Sequence, residues 1–174
     1  MDTAVVYFSQ SGNTAKVGAA IAAALGPDTT VAPLDQAPEL DGVDLVFVGT
    51  PIHALSTPEP VRDFLAHRCA GRRVALFVTH SAPDDMPELG EWLQTCKAAA
   101  AGADLVDLFH CPGVLAEPVR QHMLASGNPM LVEWAEQADV TAGRPNDADL
   151  EHAAAFARET AARVDVGLGD PAKV

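Results

Sequence analysis

The chain has 174 residues, 48% of them hydrophobic, which suits one domain with a sizeable core. Its formal net charge of −13 argues against nucleic-acid binding and against docking on anionic lipid, since both need basic patches. No apolar run reaches the roughly 18 residues of a membrane span. The three cysteines, Cys69, Cys96 and Cys111, lie far apart without zinc or iron–sulfur spacing, so neither a metal site nor a disulfide framework is expected. The start, Met1-Asp2-Thr3, lacks the basic segment of a secretory leader. The expected setting is a reducing cytoplasm.

The first element is a short apolar strand, Ala4 to Phe8, followed by the polar turn Ser9-Gln10-Ser11-Gly12-Asn13-Thr14. Val17, Ile21, Ala24 and Leu25 then recur at helical spacing. Gly26-Pro27-Asp28 ends that helix, and Thr29 to Leu34 reads as a second strand, with Pro33 marking an edge. A polar linker from Asp35 to Gly42 leads to Asp44–Gly49. Its continuous apolar character is that of a strand covered on both faces. After the loop Thr50–Thr57, Thr57 reads as an N-cap and Pro58 as the first helical residue. Val61, Phe64 and Leu65 give this helix its apolar stripe.

Val74–Thr79 is a fourth strand, followed by the loop His80–Pro87 and a helix with Leu89, Leu93, Cys96 and Ala100 on one face. Leu105–His110 is a fifth strand. An excursion over 112–148 carries two helix-like pieces, Pro118–Leu124 and Pro129–Gln137. Asn146-Asp147 caps a last helix with Leu150, Ala153, Ala157, Ala161 and Val164 on one stripe. Residues 1–166 read as one domain and 167–174 as a frayed tail. Strands alternating with helices imply an α/β, doubly wound parallel sheet with helices on both faces. Five strands in this pattern fit the order 2-1-3-4-5, whose ligand site lies at the carboxyl ends of strands 1 and 3.

That rule gathers three loops at one sheet edge. In the first, a strand, a hydroxyl-rich turn and a helix N-terminus present backbone N–H groups and Ser9, Ser11 and Thr14 hydroxyls to a phosphate. Gly12 tolerates positive φ there. In the plainer alternative, Ser11 or Asn13 caps the helix. The turn is neither a Walker loop nor a Gly-x-Gly-x-x-Gly turn. It resembles the phosphate loop of the flavodoxin family. Thr50-Pro51-Ile52-His53 resembles that family's second loop, and Thr79-His80-Ser81-Ala82 its third. Phe109–Gly113 and Arg144–Leu150 resemble a branch with an extra segment after strand 5.

The resemblance implies FMN as cofactor, with its 5′-phosphate on Ser9–Thr14 and its ring between the other two loops. It implies no catalytic side chain, because the flavin carries the chemistry. Flavodoxins often stack a Trp or Tyr on the ring, whereas these loops offer His53 and His80. Losing two aromatic contacts costs about one to two powers of ten in affinity. Trp134 is either a distant lid or a core or dimer-contact residue. Asp84, Asp85 and Glu88 lie at the expected ring edge or are solvated acids at a helix N-terminus. Cys111 is either a flavin neighbour or a buried strand-end thiol.

Competing constellations are weaker. Ser81, His80 and Asp84 are too close in sequence for a hydrolase triad and lack a Gly-x-Ser-x-Gly elbow. His53, His80, His110 and Cys111 lack metal-ligand spacing. Three functional expectations stand. The first is an FMN electron carrier between a reductase and an acceptor protein, favoured by the acidic surface. The second is an FMN-dependent NAD(P)H oxidoreductase acting on a quinone or other small acceptor, in which the excursion shapes a pocket or a homodimer interface. The third is a flavodoxin-like module without flavin, against which the hydroxyl-rich loop speaks.

Overall fold

A computed structural model describes residues 1–167. Five strands form one parallel sheet: β1 (Thr3–Tyr7), β2 (Thr30–Pro33), β3 (Leu45–Pro51), β4 (Arg73–His80) and β5 (Asp104–Pro112), in the order β2-β1-β3-β4-β5. This is the expected flavodoxin-like α/β fold. The helices are α1 (Asn13–Leu25), α2 (Glu59–Arg68), α3 (Leu89–Ala99), α4 (Glu117–Ala125), α5 (Pro129–Glu136) and α6 (Asp147–Asp165). The expected tail beyond Gly167 lies outside the described residues. No described helix is long and apolar enough to cross a membrane.

The central strands are apolar throughout because successive side chains point to opposite faces and both faces are covered. On one face Val5, Leu45, Phe47, Ala75 and Phe77 pack under Val17 and Ile21 of α1 and Ala153, Ala157 and Val164 of α6. On the other, Ala4, Val6, Val46, Val48, Val74 and Leu76 pack against Val61, Phe64 and Leu65 of α2 and Ala100 beyond α3. Gly49 is where α1 approaches the sheet. A Cβ there would lie 2.3 Å from two Phe77 ring carbons and 2.9 Å from Thr14 Cγ2. Edge strand β2 is the most exposed, as Pro33 suggested.

Three boundaries depart from the sequence reading. β3, β4 and β5 extend through Pro51, His80 and Pro112, residues read as loop or excursion. Neighbouring backbone groups hold these ends: Ile52 N–H donates to Thr79 O at 2.9 Å, and Gly113 N–H to His80 O at 2.7 Å. Thr57 does not cap α2. Pro58 takes the cap position, and the Thr57 hydroxyl is buried without a hydrogen-bond partner. For α6 the cap is as expected and more complete. Asn146 Oδ1 accepts from Asp149 N–H at 3.2 Å, and Asp149 Oδ2 accepts from Asn146 N–H at 2.8 Å, a reciprocal capping box.

Candidate functional site

The turn after β1 is built to leave donors free. Gly12 adopts φ +87° at the N-cap of α1, and no side chain caps that end. Capping by Ser11 or Asn13 is therefore overturned. Asn13 instead donates its side-chain amide to Val114 O at 2.9 Å. The first intrahelical bond runs from Lys16 N–H to Gly12 O at 3.0 Å, so the amides before it face outward with the positive end of the helix dipole. Ser9 Oγ is buried with no hydrogen-bond partner. Such an orphan costs about 1–3 kcal/mol in a folded protein. An orphaned hydroxyl beside an uncapped helix N-terminus is a set of donors that suits an anion.

Thr14 does not contribute as expected. Its hydroxyl is buried and shares a 2.8 Å hydrogen bond with Thr79 Oγ1, tying α1 to β4. In the second loop, Thr50 is buried and its hydroxyl donates to Pro51 O at 3.0 Å. Ala82 is buried among Leu89 and Trp92 and offers only its carbonyl.

His53 and Ser56 exchange both backbone hydrogen bonds, at 2.8 and 2.9 Å, around a tip where Ala54 has φ 45° and Leu55 φ 65°. Positive φ at both central residues is the geometry that Asn-Gly usually supplies. Here it falls on side chains that pay about 1–2 kcal/mol each for it. His53 sits edge-on to Phe8, with ring centroids 6.2 Å apart, and burial lowers its pKa.

His80 closes β4 and is 4% exposed. Its Nδ1 donates to Ala82 O at 2.9 Å, and its Nε2 lies 3.1 Å from His110 Nδ1. Burial, and next the neighbouring His110, push its pKa down to about 4. Asp84 does not line the cleft and lies 3.5 Å from Arg144 Nη2. Asp85 and Glu88 do not line the cleft either. Cys111 is a buried strand-end residue whose thiol is pushed up to about 12 by burial and next by Asp149.

The three loops border a cleft of about 720 Å³, within the range of cofactor sites. Gln10, Ser11, Asn13, Pro51, Ile52, His53, Thr79, His80 and Ser81 line it. Ser9, Gly12, Thr14, Thr50 and Ala82 are not among its lining residues; Ser9 and Gly12 lie in the first loop at its edge. The opposite wall comes largely from the excursion, for which the sequence suggested a pocket and the Trp134 lid but not the other residues. It comprises Val114 and Leu115 after β5, Val119 and Met123 of α4, Met130, Leu131 and Trp134 of α5, and Trp92 of α3. Trp134 stacks on Trp92 with centroids 5.4 Å apart and planes 25° apart. It is thus both a packed residue and part of the cleft wall.

Trp92 carried a signal, three residues from Leu89 on the buried stripe. The start of the wall is fastened to the first loop by the Asn13–Val114 bond. Gly113 is required there, because a Cβ would come within 2.6 Å of Asn13 Nδ2. The wall's far end is held by Arg144, whose Nε and Nη2 each lie 2.5 Å from an oxygen of Asp149.

The sequence profile of the flavodoxin domain family matches residues 4–158. No curated protein sequence matches the chain. Among solved structures, a flavodoxin from the domain Archaea superposes with a TM-score of 0.57 at 19% identity, covering 95% of this chain and 99% of its own. Flavodoxin 2 from Bacillus cereus superposes with a TM-score of 0.59 at 18% identity, covering 94% and 99%. A flavoprotein in complex with FMN from Lactobacillus acidophilus NCFM gives 0.51 at 15% identity, covering 63% and 92%. At these identities the structures speak to the shared fold. The profile match over most of the chain carries the assignment: this protein is a member of the flavodoxin domain family.

Proposed function

We propose that this chain binds FMN and carries electrons between a reductase and an acceptor protein in a cytoplasmic setting. The observation that carries the reading is the orphaned Ser9 hydroxyl beside the uncapped N-terminus of α1, at the edge of a cleft that two further loops complete. The residues fit the cofactor. Ser9 and the first amides of α1 would hold a terminal phosphate. The Pro51–His53 and Thr79–Ser81 segments would flank the ring, with Trp92 and Trp134 supplying apolar wall. When bound, the flavin supplies reversible one- and two-electron chemistry. The chain's own tasks are to bind and orient it and to keep the buried imidazole of His80 neutral at its border. The net charge of −13 suits recognition by basic faces of partner proteins.

One observation favours a second reading, an NAD(P)H oxidoreductase acting on a quinone or similar acceptor. The wall formed by Leu115, Val119, Met123, Met130 and Leu131 makes the cleft apolar well away from the first loop. That leaves a surface on which a flat, apolar small molecule can lie.

The test is flavin retention after FMN loading and gel filtration, followed by assay of the loaded protein. Slow direct oxidation of NAD(P)H, with two resolved one-electron steps in potentiometry, supports the carrier. Rapid oxidation of NAD(P)H with a soluble quinone supports the second reading. Failure to retain any flavin overturns both and leaves the module without flavin.

A further inference from the structure

We propose that His80, Asp84 and His110 form a binding site for a divalent transition-metal ion of the zinc class, at the ends of β4 and β5 and behind the cleft. The two histidines are 30 residues apart in sequence. The parallel register brings them together, since Val78 is paired with His110 and His80 with Pro112. One ligating atom from each of the two imidazoles and the Asp84 carboxylate lies within 4.8 Å of the others. The closest pair, His80 Nε2 and His110 Nδ1, is 3.1 Å apart. Two nitrogens bound tetrahedrally to zinc at about 2.0–2.1 Å stand about 3.3 Å apart, so the pair opens by a few tenths of an ångström while both rings turn from each other toward the shared ion.

The surroundings match what a metal-binding histidine requires. His80 is 4% exposed, and its Nδ1–H is committed to Ala82 O at 2.9 Å. That bond fixes the tautomer and leaves the Nε2 lone pair available to ligate, the support that ligating histidines commonly receive from a backbone carbonyl. The neutral imidazole is the form that ligates. Without metal, His110 Nδ1–H donates to His80 Nε2. On metal binding His110 moves that proton to its own Nε2, so the pair stays neutral and loses no proton.

Asp84 is half exposed and faces a second cavity of about 340 Å³, which His110 and Arg144 also line. This cavity leaves room for a water in a fourth position. Arg144 approaches Asp84 at 3.5 Å but is already held by both oxygens of Asp149. The fixed charges of Asp84, Asp149 and Arg144 therefore sum to −1, and a divalent ion offsets them. Two imidazoles with one carboxylate select zinc-like ions over magnesium or calcium, which prefer all-oxygen shells. The site does not depend on flavin binding.

The experiment is calorimetric titration of untagged protein, stripped with a chelator, with Zn²⁺ at pH 7.5 in a non-coordinating buffer. It is run on wild type, His110→Gln and Asp84→Asn, each first shown to be folded by circular dichroism. The expected result is one saturable equivalent in wild type, at least tenfold weaker binding in each variant, and a Zn²⁺-induced rise in melting temperature that His110→Gln loses. Co²⁺ in place of Zn²⁺ should give visible ligand-field bands in wild type that vanish in His110→Gln. Absence of saturable uptake by wild type, or uptake that either variant leaves unchanged, overturns the site. FMN retention measured on the same samples reports separately on the cleft.

Discussion

Ser9→Ala separates a ligand-binding hydroxyl from a structural one. In the ligand-free protein Ser9 Oγ is buried and has no partner. Removing it relieves a desolvation cost of about 1–3 kcal/mol and sacrifices no hydrogen bond. The ligand-free variant should therefore be at least as stable as wild type, and up to about 2 kcal/mol more stable. For a chain of this size each kcal/mol moves the melting midpoint by about 2–4 °C. With FMN the sign reverses, because a hydroxyl donating to a phosphate oxygen makes a charge-assisted bond worth about 1.5–3 kcal/mol. FMN should bind the variant about tenfold to about 150-fold more weakly. The assay pairs urea denaturation of the ligand-free proteins with FMN titrations followed by quenching of flavin fluorescence. An unchanged FMN affinity would refute the phosphate assignment. A loss of more than about 1 kcal/mol in the ligand-free protein would refute the premise that the hydroxyl is unsatisfied.

Gly49→Ala should destabilise by about 1–3 kcal/mol or more, because its Cβ would lie 2.3 Å from the Phe77 ring. Phe77→Leu in the same chain should recover part of that loss, and additive urea-denaturation energies for the two changes would argue against a direct clash. Ala54→Gly should raise stability by up to about 1 kcal/mol, since the residue holds φ 45° at the tip of the second loop; an unchanged thermal midpoint counts against strain there. Asp149→Asn should cost about 3 kcal/mol by breaking the paired bonds to Arg144. Burial pushes the Asp149 carboxyl up, but hydrogen bonds from Arg144 and the Asn146 N–H outweigh it and hold the pKa below its ordinary value of 3.8. Its contribution is therefore present above about pH 4 and lost as the pH falls further. Denaturation midpoints from pH 7 to pH 2 should fall less steeply in Asp149→Asn than in wild type.

The sheet order was readable because Leu45–Val48 and Val74–Val78 are apolar on both faces, which only a strand covered by two helix layers requires. Strand ends were not, because Pro51, His80 and Pro112 look like loop residues and owe their extended state to neighbouring backbone groups. In the first loop, the Ser–Gly pattern suggested an anion site but not which hydroxyl stays free. That depends on helical phase: Thr14 falls on the inner face of α1 and meets Thr79, while Ser9 lies before the helix and meets nothing. The second wall of the cleft was legible only as a pocket-shaping excursion with Trp134 as one candidate lid; the Trp92–Trp134 stack was not, because the two belong to helices 30 residues apart that meet only in three dimensions. The spacing of His80 and His110 argued against a shared site for the same reason, since their meeting is set by the β4–β5 register.

The stacked pair Trp92–Trp134 has a practical consequence. These are the chain's two tryptophans, and both border the cleft. All indole emission from the protein thus originates at the wall of its binding site. A yellow chromophore seated there would drain that emission by resonance energy transfer, and the stacked rings, tilted by 25° to each other, should give an excitonic couplet in circular dichroism. Occupancy of the cleft, and any movement of α5 relative to α3, can be followed in solution with no label attached.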